Sequence, residues 1–215
     1  MRIALIHALS HSVEPINRVM AEQWPDATVM NLLDDSLSAD LARSGKGLDA
    51  VMHQRFMDLS DYVVGTGAQG ILFTCSAFGP CIEAVQAKYS KLPIFKPNEA
   101  MIVQVERQTH DIGLIASFAG TLETMPREFS PETKVRTALA AEALEALNAG
   151  DVAAHDRLVL EAAQGLQREG VGAIALAQFS MARAAPLLRE HLQVPVFTTP
   201  DSAVKGLQAA LGVKG

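Results

Sequence analysis

Four landmarks recur along this chain in the same order and at nearly the same spacing. The apolar run IALI at 3–6 returns as IGLI at 112–115, an offset of 109 residues. GAQGILFT at 67–74 returns as GVGAIALA at 170–177, an offset of 103. PIF at 93–95 returns as PVF at 195–197, and NEA at 98–100 as DSA at 201–203. An ordered series of this kind reads as an internal duplication. It restricts the 215 residues to two small lobes of one design, or to a single doubly wound sheet whose units look alike.

Within each copy, short apolar runs alternate with longer amphipathic stretches. Residues 2–6, 28–33, 70–74 and 93–95 read as strands. Residues 13–23 read as a helix opened by Ser10 or Ser12, and 48–64 as another, from the spacing of Val51, Met52, Phe56, Leu59 and Val63. Gly79 and Pro80 open a further helix, since proline is tolerated in a first turn, and 98–109 forms one more. Strands alternating with helices imply parallel strands joined by right-handed crossovers, hence an α/β fold. The expected architecture is two pseudo-symmetric lobes, 1–105 and 106–215, each a parallel sheet flanked by helices, with the site in the cleft between them. The C-terminal helix is free in this scheme to pack back on the first lobe.

Composition removes several functional classes. With 18 basic and 24 acidic residues the formal charge is −6, and no basic block offers a footprint for nucleic acid or an anionic membrane. Aromatics are 5%, too few for a base-stacking surface. No apolar run approaches a membrane span or a signal-peptide core. Two cysteines, Cys75 and Cys81, in a chain of cytoplasmic character read as thiols and not as a disulfide. No CxxC, HExxH or His/Asp cluster suggests a metal, no GxGxxG or GxxxxGK[ST] supports a nucleotide, and no cofactor is expected. Oligomeric state is not legible, and a homo-oligomer is left open.

In open parallel sheets ligands bind beyond the C-terminal ends of the strands. The loops to inspect are therefore 7–12, 74–79, 116–121 and 177–181. Cys75 sits at a strand end between the hydroxyls of Thr74 and Ser76 and ahead of a helix start. That position favours an anion, so the thiol is expected to have a depressed pKa and to react faster than Cys81, which reads as a packing residue. Ser10, Ser117 and Thr121 are short hydroxyls suited to a carboxylate or amide, with helix capping as the plainer role and the whole role for Ser12. His7 ends the first strand and is either an acid/base or a packing histidine. His11, His53, His110, His155 and His191 read as surface residues.

These residues resemble the aspartate/glutamate/hydantoin racemase superfamily, which also includes maleate cis-trans isomerases and arylmalonate decarboxylases. The likeness rests on residues 2–6 with Ser10, Thr74-Cys75-Ser76, Pro93 with Glu99 and Ala100, the IGLI run with Gly120 and Thr121, and VPV at 194–196 with Ala203. It implies a cofactor-independent enzyme in which two cysteines, one per lobe, exchange a proton at the carbon next to a carboxylate. Small hydroxyls and backbone N–H groups would hold the carboxylate. The repeat, however, sets Gln178 where the second thiol would stand, and Cys81 belongs to the first lobe. Glutamine is neither acid nor base at neutral pH, though its amide can hydrogen-bond a carboxylate.

The resemblance therefore implies a small carboxylate or amide substrate (an amino acid, hydantoin or dicarboxylate) handled by the single thiol of Cys75. Ser10, Thr74, Ser76, Ser117, Thr121 and Ser180 would hold the substrate, Gln178 would orient it, and Phe179 would add an apolar contact. The reaction is racemisation, decarboxylation or cis-trans isomerisation. A non-catalytic carboxylate-binding protein is the competing class.

Overall fold

The computed structural model describes residues 1–213. The chain folds as β1 (Arg2–His7), α1 (Val13–Gln23), β2 (Thr28–Leu33), α2 (Ser36–Ser44), α3 (Ala50–Gly65), β3 (Gly70–Phe73), α4 (Gly79–Lys88) and β4 (Ile94–Phe95). It continues with α5 (Glu99–Glu106), β5 (Asp111–Ala116), α6 (Ala119–Thr124), β6 (Lys134–Leu139), α7 (Ala143–Asn148), α8 (Val152–Arg168), β7 (Ala173–Leu176), α9 (Ala185–His191), β8 (Val196–Thr198) and α10 (Thr199–Ala210). There are two four-stranded parallel sheets, ordered β2-β1-β3-β4 and β6-β5-β7-β8. No described helix is long and apolar enough to cross a membrane.

The duplication is carried into the strand register. Ile3 stands opposite Gly70 and Ile6 opposite Phe73; Ile112 stands opposite Ala173 and Ile115 opposite Leu176. The central strands β3 and β7 are buried at all four positions, as strands covered on both faces must be. The edge strands β2 and β6 share one half-exposed pattern. The long helices start and stop alike. Asp49 caps α3 by accepting the Met52 N–H, and Asp151 caps α8 by accepting the Ala154 N–H. Both end before a glycine in the left-handed region, Gly67 at φ +85° and Gly170 at φ +84°, where a side chain would be strained.

Contacts divide the chain into two compact units, residues 1–97 with the stretch from 203 onward, and residues 98–202. The first core joins Ala4, Ile6, Ile71 and Phe73 to Phe56, Phe78 and Ile82. Its aromatic centre is Phe56, whose ring lies 5.5 Å from Phe73 and 4.9 Å from Phe78. Leu207 and Leu211, in and just after α10, pack against Gly70 in this unit. In the second unit, Met101, Ile102 and Val105 of α5 pack with Ile112, Leu114 and Ala173.

Three sequence expectations need correction. Residues 36–44, given no element, form α2. His155 is buried and not a surface residue: on α8 it faces inward, with Nδ1 2.7 Å from Asp156 Oδ1. The helix read over 98–109 spans only Glu99–Glu106.

Candidate active site

Cys75 lies two residues past β3. Thr74 still belongs to the sheet, its N–H donating to the Ile6 carbonyl at 3.1 Å. Cys75 keeps an extended backbone. Ser76–Phe78 then make one tight turn, and α4 begins at Gly79, where the sequence placed it. The Ala77 N–H and the Ser38 hydroxyl favour the thiolate, but burial outweighs both and pushes the thiol up from its ordinary value. The expectation of a depressed pKa is corrected accordingly. The half-buried sulfur shares a small void with Ile6, His7, Ala8, Leu37, Phe56 and Phe73. Cys81 is fully buried, and desolvation together with the Asp49 charge pushes its thiol up to about 11.

Behind Cys75 lies a buried polar cluster. His7 Nδ1 is 3.0 Å from Thr74 Oγ1 and 2.9 Å from Ser12 Oγ, and these two hydroxyls are 2.9 Å apart. His7 Nε2 is 3.0 Å from Asn31 Oδ1, whose amide donates in turn to Asn17 Oδ1. Burial lowers the His7 pKa, and the Asn31 bond opposes this only in part. A histidine with both ring nitrogens engaged and no exposed surface holds its neighbours in place. Ser12 makes no capping bond, contrary to its expected role; its hydroxyl donates to the Leu9 carbonyl at 2.7 Å.

Gln178 lies two residues past β7, the position matching Cys75 in register. Its Oε1 is 2.6 Å from the Ser117 backbone nitrogen and 2.9 Å from Ser117 Oγ. A backbone N–H can only donate, so that atom must be the amide oxygen, and the NH₂ group is left as a directed donor pair. Thr121 is buried in α6, at the position matching Ser12. Ser180 and Ser117 are half-buried, and Ser10 is exposed. Phe179 is 2% exposed and has little surface left for a ligand. Phe78 and Met181 are likewise core residues.

Within the first unit the fold therefore brings together His7, Thr74 and Cys75, with Ser76 alongside. Within the second it brings together Ser117 and Gln178. Sequence reasoning missed Ser38 and Asn31. Both lie on the β2 side of the sheet, whose strand-end loop was not among those inspected.

The chain's sequence matches the model of the Asp/Glu/Hydantoin racemase family over residues 11–207. The chain belongs to this family, and it is accordingly an enzyme of the isomerase (racemase) class. No curated protein matches it significantly by sequence. Solved structures share its fold at low identity. An allantoin racemase from Klebsiella pneumoniae is 17% identical, with a TM-score of 0.72, covering 99% of this chain and 89% of that one. A glutamate racemase from Francisella tularensis, solved with D-glutamate, is 14% identical, with a TM-score of 0.68 and coverage of 98% and 81%. An arylmalonate decarboxylase is 17% identical, with a TM-score of 0.68 and coverage of 97% and 92%.

Proposed function

We propose that the protein transfers a proton at the carbon next to the carboxylate or amide of a small substrate, with Cys75 as the acid–base group and no cofactor. The observation that carries this reading is the matched register that sets Cys75 and Gln178 at one strand-end position of two like sheets. One copy of the site has a transferable proton and the other has only donors. Ser76 beside the thiol, and Ser10, Ser180 and the Gln178 amide, supply hydrogen bonds to a carboxylate or to the enolate oxygen that develops from it, while Thr74 and Ser117 hold His7 and Gln178 in place. Both cysteines are free thiols, which supports a reducing, cytoplasmic setting.

Burial keeps Cys75 mostly protonated near neutral pH. In proton exchange the minor thiolate takes the substrate C–H proton, the electron pair stays on the planar enolate, and the resulting thiol returns a proton to the face that looks at Sγ. Where a C–CO₂⁻ bond breaks instead, the thiol protonates the carbanion directly and recovers its proton from water. The resting thiol favours this second reading within the same site, decarboxylation, in which loss of CO₂ generates the carbanion and a single acid suffices. The test is a panel of amino acids, hydantoins, dicarboxylates and arylmalonates in D₂O. Solvent deuterium should enter one of these next to the carboxylate or amide. No incorporation and no CO₂ release from any class would count for a binding protein instead.

A further inference from the structure

We propose that Phe118 is a specificity-determining residue, an apolar wall for a substrate whose reacting carbon carries an aryl or branched alkyl group. The inference rests on the reading of Gln178 as a donor to the substrate carboxylate or enolate, and it adds what the rest of that substrate is.

Phe118 stands two residues past β5, as Gln178 stands two residues past β7. The residue before it, Ser117, gives its backbone N–H and its hydroxyl to Gln178 Oε1, at 2.6 and 2.9 Å. The donor amide and the aromatic residue are therefore joined through one pinned residue at the carboxyl ends of two paired strands, where open parallel sheets bind their ligands. On its other side the Phe118 carbonyl accepts the Thr121 N–H at 3.1 Å, which ties it to the first turn of α6. The backbone is thus held on both sides, while the residue is 58% exposed.

Gly120 seats the ring. A Cβ at this position would lie 2.7 Å from Phe118 Cε1 and 3.3 Å from Cζ, so the ring rests directly on bare helix backbone. Glycine is unfavourable within a helix relative to alanine, and position 120 gives up that stability where a side chain would collide with the ring. A single exposed apolar residue is ordinary, but this one is repeated. Leu9 holds the matching place in the first copy, two residues past β1, and is 42% exposed. Its carbonyl accepts the Ser12 N–H at 3.2 Å, as that of Phe118 accepts Thr121. Each copy of the fold therefore fixes a large apolar residue at the same point of its ligand-binding edge and leaves it uncovered. Covering such a surface is favourable for an apolar group and unfavourable for a charged one, which would lose water without gaining a partner. An aryl group can also stack on the open side of the Phe118 ring.

The test reads binding and not turnover. Phenylacetate and acetate carry the same carboxylate and differ in the ring. Each is titrated into ¹⁵N-labelled protein and followed by amide chemical shifts. Phenylacetate should move the amides of residues 117–121 and Gln178, and should bind about tenfold tighter than acetate, the low end of the range for an apolar group in a pocket. Phe118→Ala should remove most of that preference, and Phe118→Leu, which keeps an apolar wall, should retain most of it. Gly120→Ala, which dislodges the ring without deleting it, should lower the preference as well. Equal affinity for the two acids, binding of neither, shifts confined to other parts of the chain, or an unaltered preference in Phe118→Ala would each overturn the inference. The donor reading fails separately. Gln178→Ala should weaken both acids alike, and if it weakens neither while Phe118→Ala still abolishes the preference, the apolar wall stands without the amide.

Discussion

The Gln178 side chain is locked by Ser117, which gives both its backbone N–H and its hydroxyl to Oε1. The lock fixes which end of the amide faces away, so the residue acts as a donor and not as an acceptor. Gln178→Ala should reduce kcat/KM by about 10²–10³, the usual cost of deleting one preorganised donor to a developing oxyanion. Gln178→Glu should be worse, because the carboxylate keeps the Ser117 bonds but brings a negative charge and no donor. Steady-state kinetics on the three proteins checks the order.

Cys75→Ala should lower proton exchange by about 10²–10⁴, the range for a positioned acid–base group. In the unmodified protein, labelling of Cys75 should be slow at neutral pH and accelerate above pH 9, since burial raises the thiol. It should still precede labelling of Cys81, which is fully buried and titrates near 11. Preferential modification of Cys81 would remove Cys75 from the site.

Turnover should be stereochemically one-sided. One thiol serves one face of a planar intermediate, and glutamine has no proton to exchange at neutral pH. Deuterium should therefore enter one antipode much faster than configuration inverts, as read by NMR alongside chiral chromatography. Equal exchange and inversion rates from both antipodes would require a second efficient base.

Stability should fall on mild acidification through His7. Its folded pKa lies below the ordinary value of 6.5, so between the two values the unfolded chain binds more protons. Stability is then present in full above pH 6.5 and is lost as the pH falls toward the folded value, at up to about 1.4 kcal/mol per pH unit. Thermal melts from pH 7.5 to 5 should show the decline, and His7→Gln should flatten it.

Gly113→Ala should destabilise the second unit by about 1–3 kcal/mol, the cost of overpacking a filled core. A Cβ there would lie 2.9 Å from Ile174 Cδ1 and 3.0 Å from Leu166 Cδ1. The matching position in the first sheet is already Ala4. A melting temperature unchanged by the substitution would mean that Ile174 and Leu166 yield freely.

Strands and site positions were readable because parallel sheets write themselves into sequence as short apolar runs, and two copies check each other. The offsets of 109 and 103 residues led directly to the Cys75–Gln178 equivalence that the register carries. What failed were features set by tertiary surroundings. Cys75 precedes the Gly79 helix start as the sequence indicated, but burial and not the helix dominates its thiol. Ser12 has a capping residue's place and spends its hydroxyl on Leu9, His7 and Thr74. His155 occupies an inward helix position where an apolar residue is the usual choice. Helix α2 is short and polar, so nothing in its pattern announced that Leu37 would be buried or that Ser38 would favour the thiolate.

The place of the last helix bears on how the chain comes to be made. Gln208 donates to the Gln23 carbonyl at 2.8 Å, a partner 185 positions earlier, and Leu207 and Leu211 lie over the ground between Ile3 and Gly70. A nascent chain that has emitted all four strands of its first sheet still lacks this cover. At a synthesis rate of about 5–20 residues per second, apolar surface around β1 and β3 waits several seconds or more for the residues that close it. Contacts of such long range slow folding, and during that wait the half-covered sheet is the species most exposed to aggregation or chaperone capture. A stop codon just before Ala203 would leave every strand in place and yet deny the first sheet its final layer.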